Sequence, residues 1–322
     1  MISKNPLVSV LMSVYNESLD QVSLSLDSML NQTFSDFEII VIIDNPMVTD
    51  YQLLLDSYKQ KDERIKWFVN EENIGLALSM NKAFEASSGK YIARMDADDL
   101  SLPERLSKEI DVLSSGYDCV FSNYDLIDDN DAFISRDPSI SVFNNISLEQ
   151  QIANRSIIHH PTVMFSRDVF LRAGKYRNYP CSQDLDLWLR MIDVGCSFFF
   201  IDEVLLHYRV RQTSVSGKNR LKQHLTIDFI RKCFLERIRT GSDSYSYEKY
   251  SQYISKRTSE RKMTHYNKMS SLLYDAKAKN KNGKKLFAII ERLFVFLLSS
   301  VHRRTHIFNR KITKGIATKY GK

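Results

Sequence analysis

The sequence predicts an α/β fold, in which a mostly parallel sheet is flanked by helices and followed by a helical C-terminal region. Short apolar runs rich in β-branched residues alternate with segments whose apolar residues recur at helical spacing. This alternation continues to about Arg209 and then stops. Polar or acidic residues follow several of the apolar runs, at the position where parallel α/β sheets bind their ligands.

Five apolar runs predict the strands of the first half of the chain: Leu7–Tyr15, Phe37–Asp44, Ile65–Val69, Tyr91–Met95 and Cys119–Ile127. Helices are predicted between them, because alternating strands and helices of this length are typical of βαβ units. Ser18 is the candidate N-cap of the first helix. The third helix is predicted over Gly75–Ala86, and Ser101-Leu-Pro-Glu104 has the capping-box pattern that starts the fourth.

The second half of the chain is less regular, with a polar stretch over residues 128–145. The predicted elements there are a turn and strand over His159–Phe165, a short helix near Asp168–Ala173, a helix over Ser182–Arg190, and strands at Phe198–Ile201 and Leu205–Arg209. Beyond Asn219 the pattern is helical, with a polar, tyrosine-rich break over Gly241–Tyr253. We therefore expect an α/β domain over residues 1–217 and a helical, basic region over residues 218–322.

Composition excludes several classes of protein. A 322-residue chain that is 43% hydrophobic and 26% charged is ordinary globular protein. Its four cysteines form no Cys-x-x-Cys pair, which argues against a zinc site or a disulfide framework and fits a reducing compartment. Met1–Pro6 lacks the apolar core of a secretory signal, and no apolar run reaches the roughly 18 residues that span a bilayer. We expect a cytoplasmic protein.

The net charge of +6 is unevenly distributed. Residues 277–322 contain 13 Lys and Arg against one acid, Glu291, whereas the rest of the chain is mildly acidic. The segment Leu286–Leu298 is strongly apolar but flanked or interrupted by basic residues, which is typical of an interfacial helix on an anionic membrane. A helix packed on the protein or on a second subunit is the alternative, so a homo-oligomer stays open. The aromatic residues are grouped rather than interleaved, which disfavours single-stranded nucleic acid.

Three carboxylates follow the strand Tyr91–Met95 within four positions: Asp96, Asp98 and Asp99. Crowded carboxylates repel one another and resist burial. A divalent cation with a phosphate ligand would relieve that repulsion, because hard oxygen donors suit Mg²⁺ or Mn²⁺. A solvated, Asp-rich turn that caps the next helix is the plain alternative, and the motif alone does not decide between them.

A series of motifs follows in order over about residues 5–217: Pro6–Glu17, Phe37–Asp44, Asn73–Ala77, Arg94–Asp99, His160–Phe165, Gln183–Arg190 and Tyr208–Ser216. This ordered series resembles the family 2 glycosyltransferases with the GT-A fold. The chain departs from the family pattern where Ile43 and Asn45-Pro46 replace most of an Asp-Asp-Gly-Ser ending. It departs again where Gln183 replaces Glu and where Arg211 replaces His.

The resemblance implies a Rossmann-like sheet and metal-dependent transfer of a sugar, with inversion, from a nucleoside-diphosphate sugar to an acceptor hydroxyl. A nucleotide-sugar half would cover about residues 1–127, and an acceptor half residues 128–217. The implied nucleotide-sugar residues are Ser13, Tyr15, Asn16, Glu17, Asp44, Asn73, Gly75, Arg94, Asp96, Ala97, Asp98 and Arg211. Asp98 and Asp96 would hold Mg²⁺ or Mn²⁺, and His160, Gln183 and Trp188 would lie on the acceptor side.

Inversion in one step needs a base that takes the acceptor proton, and Asp184 matches the family's base, with Asp186 as the fallback. Asp44 would read the nucleotide base, and Arg94 and Arg211 would contact phosphate. For four residues the plain alternatives stay open: Tyr15 as a core residue, Arg94 as a surface strand residue, His160 in a purely structural role, and Asp184 as an N-terminal helix acid. A saccharide acceptor linked to lipid, as in bacterial surface polysaccharide assembly, would suit an enzyme on the inner face of the membrane.

Two other functions compete with this interpretation. A nucleotidyltransferase that makes nucleotide sugars shares the α/β core and the metal chemistry, but would need a Gly-rich phosphate loop after the first strand. The loop here, Ser13-Val-Tyr-Asn-Glu-Ser18, contains no glycine. A non-catalytic protein that binds a membrane or another polyanion would not need intact acids at Asp96, Asp98 and Asp184.

Overall fold

The computed structural model describes residues 5–136, 147–155, 157–210 and 220–281, together with Ile289, Val295 and Ser299. The chain divides into two compact units, Met1–Gln212 and Thr213–Lys322. The described residues of the first unit contain the sheet, and those of the second unit form helices.

The described strands of the first unit form one sheet of nine. They are β1 (Val8–Val14), β2 (Phe37–Ile43), β3 (Ile65–Val69), β4 (Tyr91–Arg94), β5 (Leu100–Ser101), β6 (Cys119–Ile127), β7 (Phe133–Arg136), β8 (Val163–Ser166) and β9 (Phe198–Arg209). Their order is β3-β2-β1-β4-β8-β6-β9-β5, with β7 paired to β6. β1 to β4 run parallel, and β9 runs parallel to β6. The predicted α/β fold is confirmed, although β8 is inserted antiparallel between β4 and β6.

The described residues of the first unit form seven helices: α1 (Leu19–Leu30), α2 (Asp50–Lys61), α3 (Leu76–Glu85), α4 (Arg105–Ser114), α5 (Leu148–Arg155), α6 (Arg167–Arg172) and α7 (Gln183–Asp193). Ser18 caps α1 as predicted, and it forms a capping box with Gln21. A 3₁₀ turn, His160–Thr162, leads directly into β8. Nearly every side chain of β1 and β2 is buried, and the core extends from them through β4, β8 and β6 to the helix faces that cover the sheet.

The second unit contains α8 (Arg220–Thr240), α9 (Tyr247–Ser255) and α10 (Glu260–Lys281). α9 occupies much of the predicted break over Gly241–Tyr253, because its polar residues are compatible with an amphipathic helix that buries Tyr250. The Tyr250 hydroxyl lies 2.9 Å from Oγ1 of Thr226 on α8, which joins the two helices. In the part of the chain that the structure describes, no helix is long and apolar enough to cross a membrane.

Most of the apolar segment Leu286–Leu298 lies outside the described residues. Within it, Val295 is 1% exposed and Ile289 is 52% exposed.

Candidate active site

The parallel pairing brings several strand ends to one edge of the sheet. Val14 at the end of β1 pairs with Ile43 at the end of β2, and Leu11 pairs with Arg94 at the end of β4. β8 runs the other way, so its first residues, and the turn at His160, lie at this same edge. The motifs that follow β1, β2 and β4 therefore converge, as the sequence predicts, and the antiparallel β8 adds the turn at His160 to them.

The loop after β1 is held in a fixed turn by Glu17. The Glu17 carboxylate accepts hydrogen bonds from the backbone N–H groups of Tyr15 (2.7 Å) and Asn16 (3.1 Å). Asn45 donates to the Tyr15 carbonyl at 3.0 Å, which ties the loops after β1 and β2 together. The Tyr15 side chain is 44% exposed, so it is not a core residue, and Ser13 in β1 is partly buried.

Asp44, at the end of β2, organises a neighbouring loop. Its buried carboxylate accepts hydrogen bonds from the Asn70 side chain (2.7 Å) and from the backbone N–H groups of Ile74 and Gly75 (both 2.9 Å). Gly75 has φ +84°, a conformation that favours glycine. Asp44 thereby fixes the exposed turn at Asn73, which starts α3.

Arg94 and Asp96 form an ion pair at the end of β4. The Arg94 side chain is only 2% exposed, which excludes a surface strand residue, and it also donates to the Leu11 carbonyl at 3.3 Å. Its Nε has no hydrogen-bond partner in the described residues. The Asp96 side chain is 28% exposed, so one side of the pair is open to a ligand.

The rest of the acidic cluster is enclosed. Asp98 is 9% exposed, and Ala97 and Asp99 are buried. Burial raises the pKa of Asp99 well above its ordinary value, and the negative charges of Asp96 and Asp98 raise it further. Asp99 supports the loop from inside by accepting a hydrogen bond from the backbone N–H of Arg209.

The acidic loop suits a divalent cation, although no three His, Cys, Asp or Glu side chains converge on a preformed metal site within the described ranges. Asp96 and Asp98 offer hard oxygen donors, and their charges already act on a third carboxylate, Asp99. A cation here would relieve this repulsion. The two carboxylates supply only part of a ligand set, which leaves room for phosphate oxygens.

Asp184 lies at the start of α7, after Ser182 in a left-handed conformation. Burial raises its pKa to about 6, and the charge of Asp96 acts in the same direction. Hydrogen bonds from the backbone N–H groups of Leu185 and of Asp184 itself oppose that rise. Asp96 and Arg94 are thus close enough for their charges to affect Asp184, although 88 positions separate Asp184 from Asp96 in sequence.

The neighbours of Asp184 on α7 are buried in the core of the domain. Asp186 is fully buried and paired with Arg190 at 2.8 Å, so the fallback base is a structural residue. Trp188 is also fully buried and packs against His160, with ring centroids 6.2 Å apart. It therefore packs in the core and offers no surface of its own to a sugar. Gln183 is 7% exposed.

The model of the family described as Glycosyl transferase family 2 matches residues 9–173, which include every strand end described above except β9. The chain belongs to glycosyltransferase family 2. It is therefore a glycosyltransferase, as the order of its motifs predicts.

Several proteins named as glycosyltransferases are similar to the chain over most of their length. An uncharacterized glycosyltransferase of Methanocaldococcus jannaschii is 36% identical over 208 residues, which cover 64% of this chain and 71% of the relative. The O-antigen biosynthesis glycosyltransferase WbnJ of Escherichia coli is 34% identical over 65% of this chain and 81% of its own. The putative teichuronic acid biosynthesis glycosyltransferase TuaG of Bacillus subtilis is 31% identical over 66% and 82%.

Solved glycosyltransferase structures share the fold. S. aureus TarS 1–349 in complex with UDP-GlcNAc superposes with a TM-score of 0.61 at 14% identity, over 97% of this chain and 89% of that TarS fragment. The mannosyltransferase PcManGT from Pyrobaculum calidifontis, in complex with GDP-Man and Mn²⁺, gives 0.59 at 14% identity over 99% and 88%.

Two arginines of this glycosyltransferase that sequence reasoning missed support the acidic loop. The backbone N–H of Arg209 donates to Asp99 at 2.8 Å, and its Nε donates to the Asp98 carbonyl at 2.7 Å. The fully buried Arg105 donates to the Arg94 carbonyl at 2.8 Å and pairs with Glu109 at 3.0 Å. Arg209 stands inside the quoted closing motif, whereas nothing in the sequence distinguishes Arg105 from a surface helix residue. Arg211 lies outside the described residues.

Proposed function

We propose that the chain transfers a sugar from a nucleoside-diphosphate sugar to a hydroxyl of a saccharide acceptor, with inversion at the anomeric carbon. The observation that carries this proposal is the proximity of Asp184 to the Arg94–Asp96 pair. A carboxyl group with a pKa of about 6 stands within electrostatic range of a cation and an acid at the end of β4. That arrangement provides a base beside a place for a diphosphate.

The donor would bind along the edge formed by β1, β2 and β4. Tyr15 offers an exposed ring for the nucleotide base, and Asp44 shapes the Asn73–Gly75 turn on the other side. Both Asp44 oxygens already accept hydrogen bonds, so base recognition by Asp44 would use its remaining lone pairs. The donor-side residues we propose are Ser13, Tyr15, Asn16, Glu17, Asp44, Asn73, Gly75, Arg94, Asp96, Ala97, Asp98 and Arg211.

Asp98 and Asp96 are the residues that would hold Mg²⁺ or Mn²⁺. When bound there, the ion supplies positive charge to the diphosphate as the glycosidic bond breaks. The support is the crowding of negative charge on this loop and the presence of Mn²⁺ beside GDP-Man in the PcManGT complex. Arg94 would contribute positive charge beside a phosphate oxygen at the exposed side of its pair with Asp96.

Asp184 would act as the general base. The acceptor hydroxyl oxygen attacks the anomeric carbon, its proton passes to the Asp184 carboxylate, and the bond from that carbon to the diphosphate oxygen breaks. The nucleoside diphosphate leaves with the electron pair. A carboxylate with a pKa of about 6 is ionised at neutral pH yet more basic than an ordinary aspartate, which suits proton abstraction.

The acceptor we propose is a saccharide, linked to lipid, in the assembly of a bacterial surface polysaccharide. The support comes from relatives: WbnJ is named for O-antigen biosynthesis and TuaG for teichuronic acid biosynthesis. His160 and Gln183 are the residues we propose for the acceptor side. Trp188 would support them from the core.

We also propose that the protein works at the inner face of the cell membrane, through its basic C-terminal region. Residues 277–322 hold 13 Lys and Arg against one acid, and such a region is attracted to anionic lipid. The side chain of Val295, within the apolar segment Leu286–Leu298, is buried and does not insert into the bilayer. We therefore attribute the proposed membrane binding to the basic residues and not to insertion of the whole segment. Sedimentation with vesicles of phosphatidylcholine, with and without phosphatidylglycerol, tests it. Binding that requires phosphatidylglycerol and weakens with salt is expected, and equal partitioning with both vesicles would contradict it.

The experiment that tests the reaction separates donor binding from transfer. Thermal-shift measurements with a panel of nucleotide sugars and Mn²⁺ identify the donor, since ligand binding raises apparent stability. Asp98→Asn should lose the Mn²⁺-dependent part of the shift. Asp184→Asn should keep the full shift and lose transfer to a saccharide acceptor.

Two variants provide matched controls. Asp193→Asn makes the same chemical change in the last turn of α7, and Asp111→Asn makes it on the exposed face of α4. Both should bind donor and transfer sugar as the wild type does. Normal transfer by Asp184→Asn would exclude Asp184 as the base, and donor binding that ignores Mn²⁺ would exclude the metal role of Asp98.

A further inference from the structure

A buried tyrosine that the proposed mechanism does not use lies beside His160. Tyr176 is 5% exposed, and its hydroxyl lies 2.7 Å from Nε2 of His160. The two rings meet edge to face, with centroids 5.6 Å apart. The charges of Arg94, Asp184 and Asp96 all act on this phenol, so it belongs to the same cluster as the proposed base and the proposed donor contacts.

The backbone holds Tyr176 in this place with unusual local geometry. Two consecutive left-handed residues, Gly174 (φ +78°) and Lys175 (φ +57°), precede it. The Asn81 side chain on α3 then clamps the tyrosine backbone: its Oδ1 accepts from the Tyr176 N–H at 3.0 Å, and its Nδ2 donates to the Tyr176 carbonyl at 2.8 Å. A non-glycine residue at positive φ costs free energy and persists only where the surroundings fix it. The direction of the Tyr176 side chain is therefore strongly determined.

The hydrogen bond between the two rings has a definite direction. Both groups are neutral, because burial raises the pKa of Tyr176 well above its ordinary value and lowers the pKa of His160 well below its own. Among the described residues, His160 Nε2 is the sole hydrogen-bond partner of the Tyr176 hydroxyl. A buried hydroxyl proton needs an acceptor, so the Tyr176 O–H donates to Nε2. The single proton of the neutral imidazole must then sit on Nδ1.

We propose that Tyr176 is a positioning residue that fixes His160 in the Nδ1–H tautomer, so that Nδ1 donates a hydrogen bond to an oxygen of a bound sugar substrate. Within the described residues Nδ1 of His160 donates to no protein group. Nδ1 is also not one of the side-chain atoms that are fully enclosed without a partner, so it is not sealed from solvent. A ligand oxygen is therefore the natural acceptor. This role presupposes the proposed transfer reaction and adds a residue that sets the orientation of one of its contacts.

The oxygen could come from two sources that share this chemistry. One is a hydroxyl or phosphate oxygen of the donor, since Arg94 and Asp96 act on the Tyr176 phenol. The other is a hydroxyl of the acceptor, since Asp184 acts on it as well. The kinetic arms of the test distinguish these sources.

The first arm reads the tautomer directly and needs no activity. In ¹⁵N-histidine-labelled full-length protein, nitrogen chemical shifts distinguish Nδ1–H from Nε2–H imidazole, and the spectrum of His160→Gln identifies the His160 signals among the seven histidines. The wild type should show His160 as Nδ1–H. Tyr176→Phe should shift it toward Nε2–H or a mixture, whereas Tyr91→Phe, the same change at another buried tyrosine, should leave it unchanged. An Nε2–H wild type, or an unchanged tautomer in Tyr176→Phe, overturns the proposal.

The second arm measures steady-state kinetics for each substrate. Tyr176→Phe should raise the KM of the substrate that His160 contacts by about tenfold, the effect of losing one well-oriented hydrogen bond, with a smaller change in kcat. A rise confined to the donor KM identifies a donor oxygen, and a rise confined to the acceptor KM identifies an acceptor hydroxyl. Altered tautomer with both KM values unchanged overturns the ligand contact. If the wild type transfers no sugar, the proposed function fails, while the tautomer result still decides the role of Tyr176.

Discussion

Replacing Asp184 with asparagine should stabilise the fold at neutral pH while it abolishes transfer. Burial holds the pKa of this carboxyl at about 6 in the folded chain, against 3.8 for an ordinary aspartate. Between pH 3.8 and pH 6 the Asp184 carboxyl is ionised in the unfolded chain but still protonated in the folded chain. The free energy of unfolding of the wild type therefore falls as pH rises through this range, and the fall is complete above about pH 6. The difference between the two pKa values corresponds to a loss of about 3 kcal/mol in the free energy of unfolding. The partial exposure of the Asp184 side chain reduces this loss to about 2 kcal/mol.

The neutral asparagine avoids this cost, so the gain of Asp184→Asn over the wild type should grow with pH. We expect the difference in free energy of unfolding to increase by about 1–2 kcal/mol between pH 4.5 and pH 7.5. Urea unfolding followed by tryptophan fluorescence measures it. The chain has two tryptophans, and a Trp67→Phe background leaves Trp188, on the same helix as Asp184, as the reporter.

The same pKa predicts the pH dependence of the reaction. A base must be ionised, so kcat/KM should fall below about pH 6 in the wild type, with one proton accounting for the loss. Asp193→Asn, at the other end of α7, shows how much of any pH trend in stability comes from removing a negative charge in general. A stability difference for Asp184→Asn that matches Asp193→Asn at every pH would refute the reasoning about Asp184.

Three further substitutions test how the loops of the site are held. Gly75→Ala should weaken donor binding and cost about 1 kcal/mol of stability, because φ is +84° there; thermal shift with and without donor measures both. Gly89→Ala should lower the melting temperature without changing the donor KM, because a Cβ would lie 2.5 Å from the Ser9 backbone nitrogen at the opposite edge of the sheet. Arg209→Met should weaken Mn²⁺ binding, measured by electron paramagnetic resonance, because the Asp98 carbonyl loses the hydrogen bond from Arg209. Unchanged Mn²⁺ affinity would show that the acidic loop keeps its conformation without Arg209.

Much of the fold follows from local pattern. The β1 and β2 runs are apolar throughout because both faces of the sheet are covered, and such runs are visible in sequence. The capping box at Ser18 is equally local, since its two partners are three residues apart. The antiparallel insertion of β8 is different, because strand order depends on pairing between distant segments and leaves no periodic signal.

The candidate site shows the same division. The sequence by itself determined the family, the acidic cluster after β4 and the place of Asp184 at a helix start, because each of these is carried by adjacent residues. The exposure of Tyr15, the burial of Arg94 and Trp188, and the support from Arg105 and Arg209 were decided by the tertiary structure. So was the bond from Tyr176 to His160. Burial and hydrogen-bond partners depend on which strands and helices meet, and this is fixed only when residues far apart in the chain pack together.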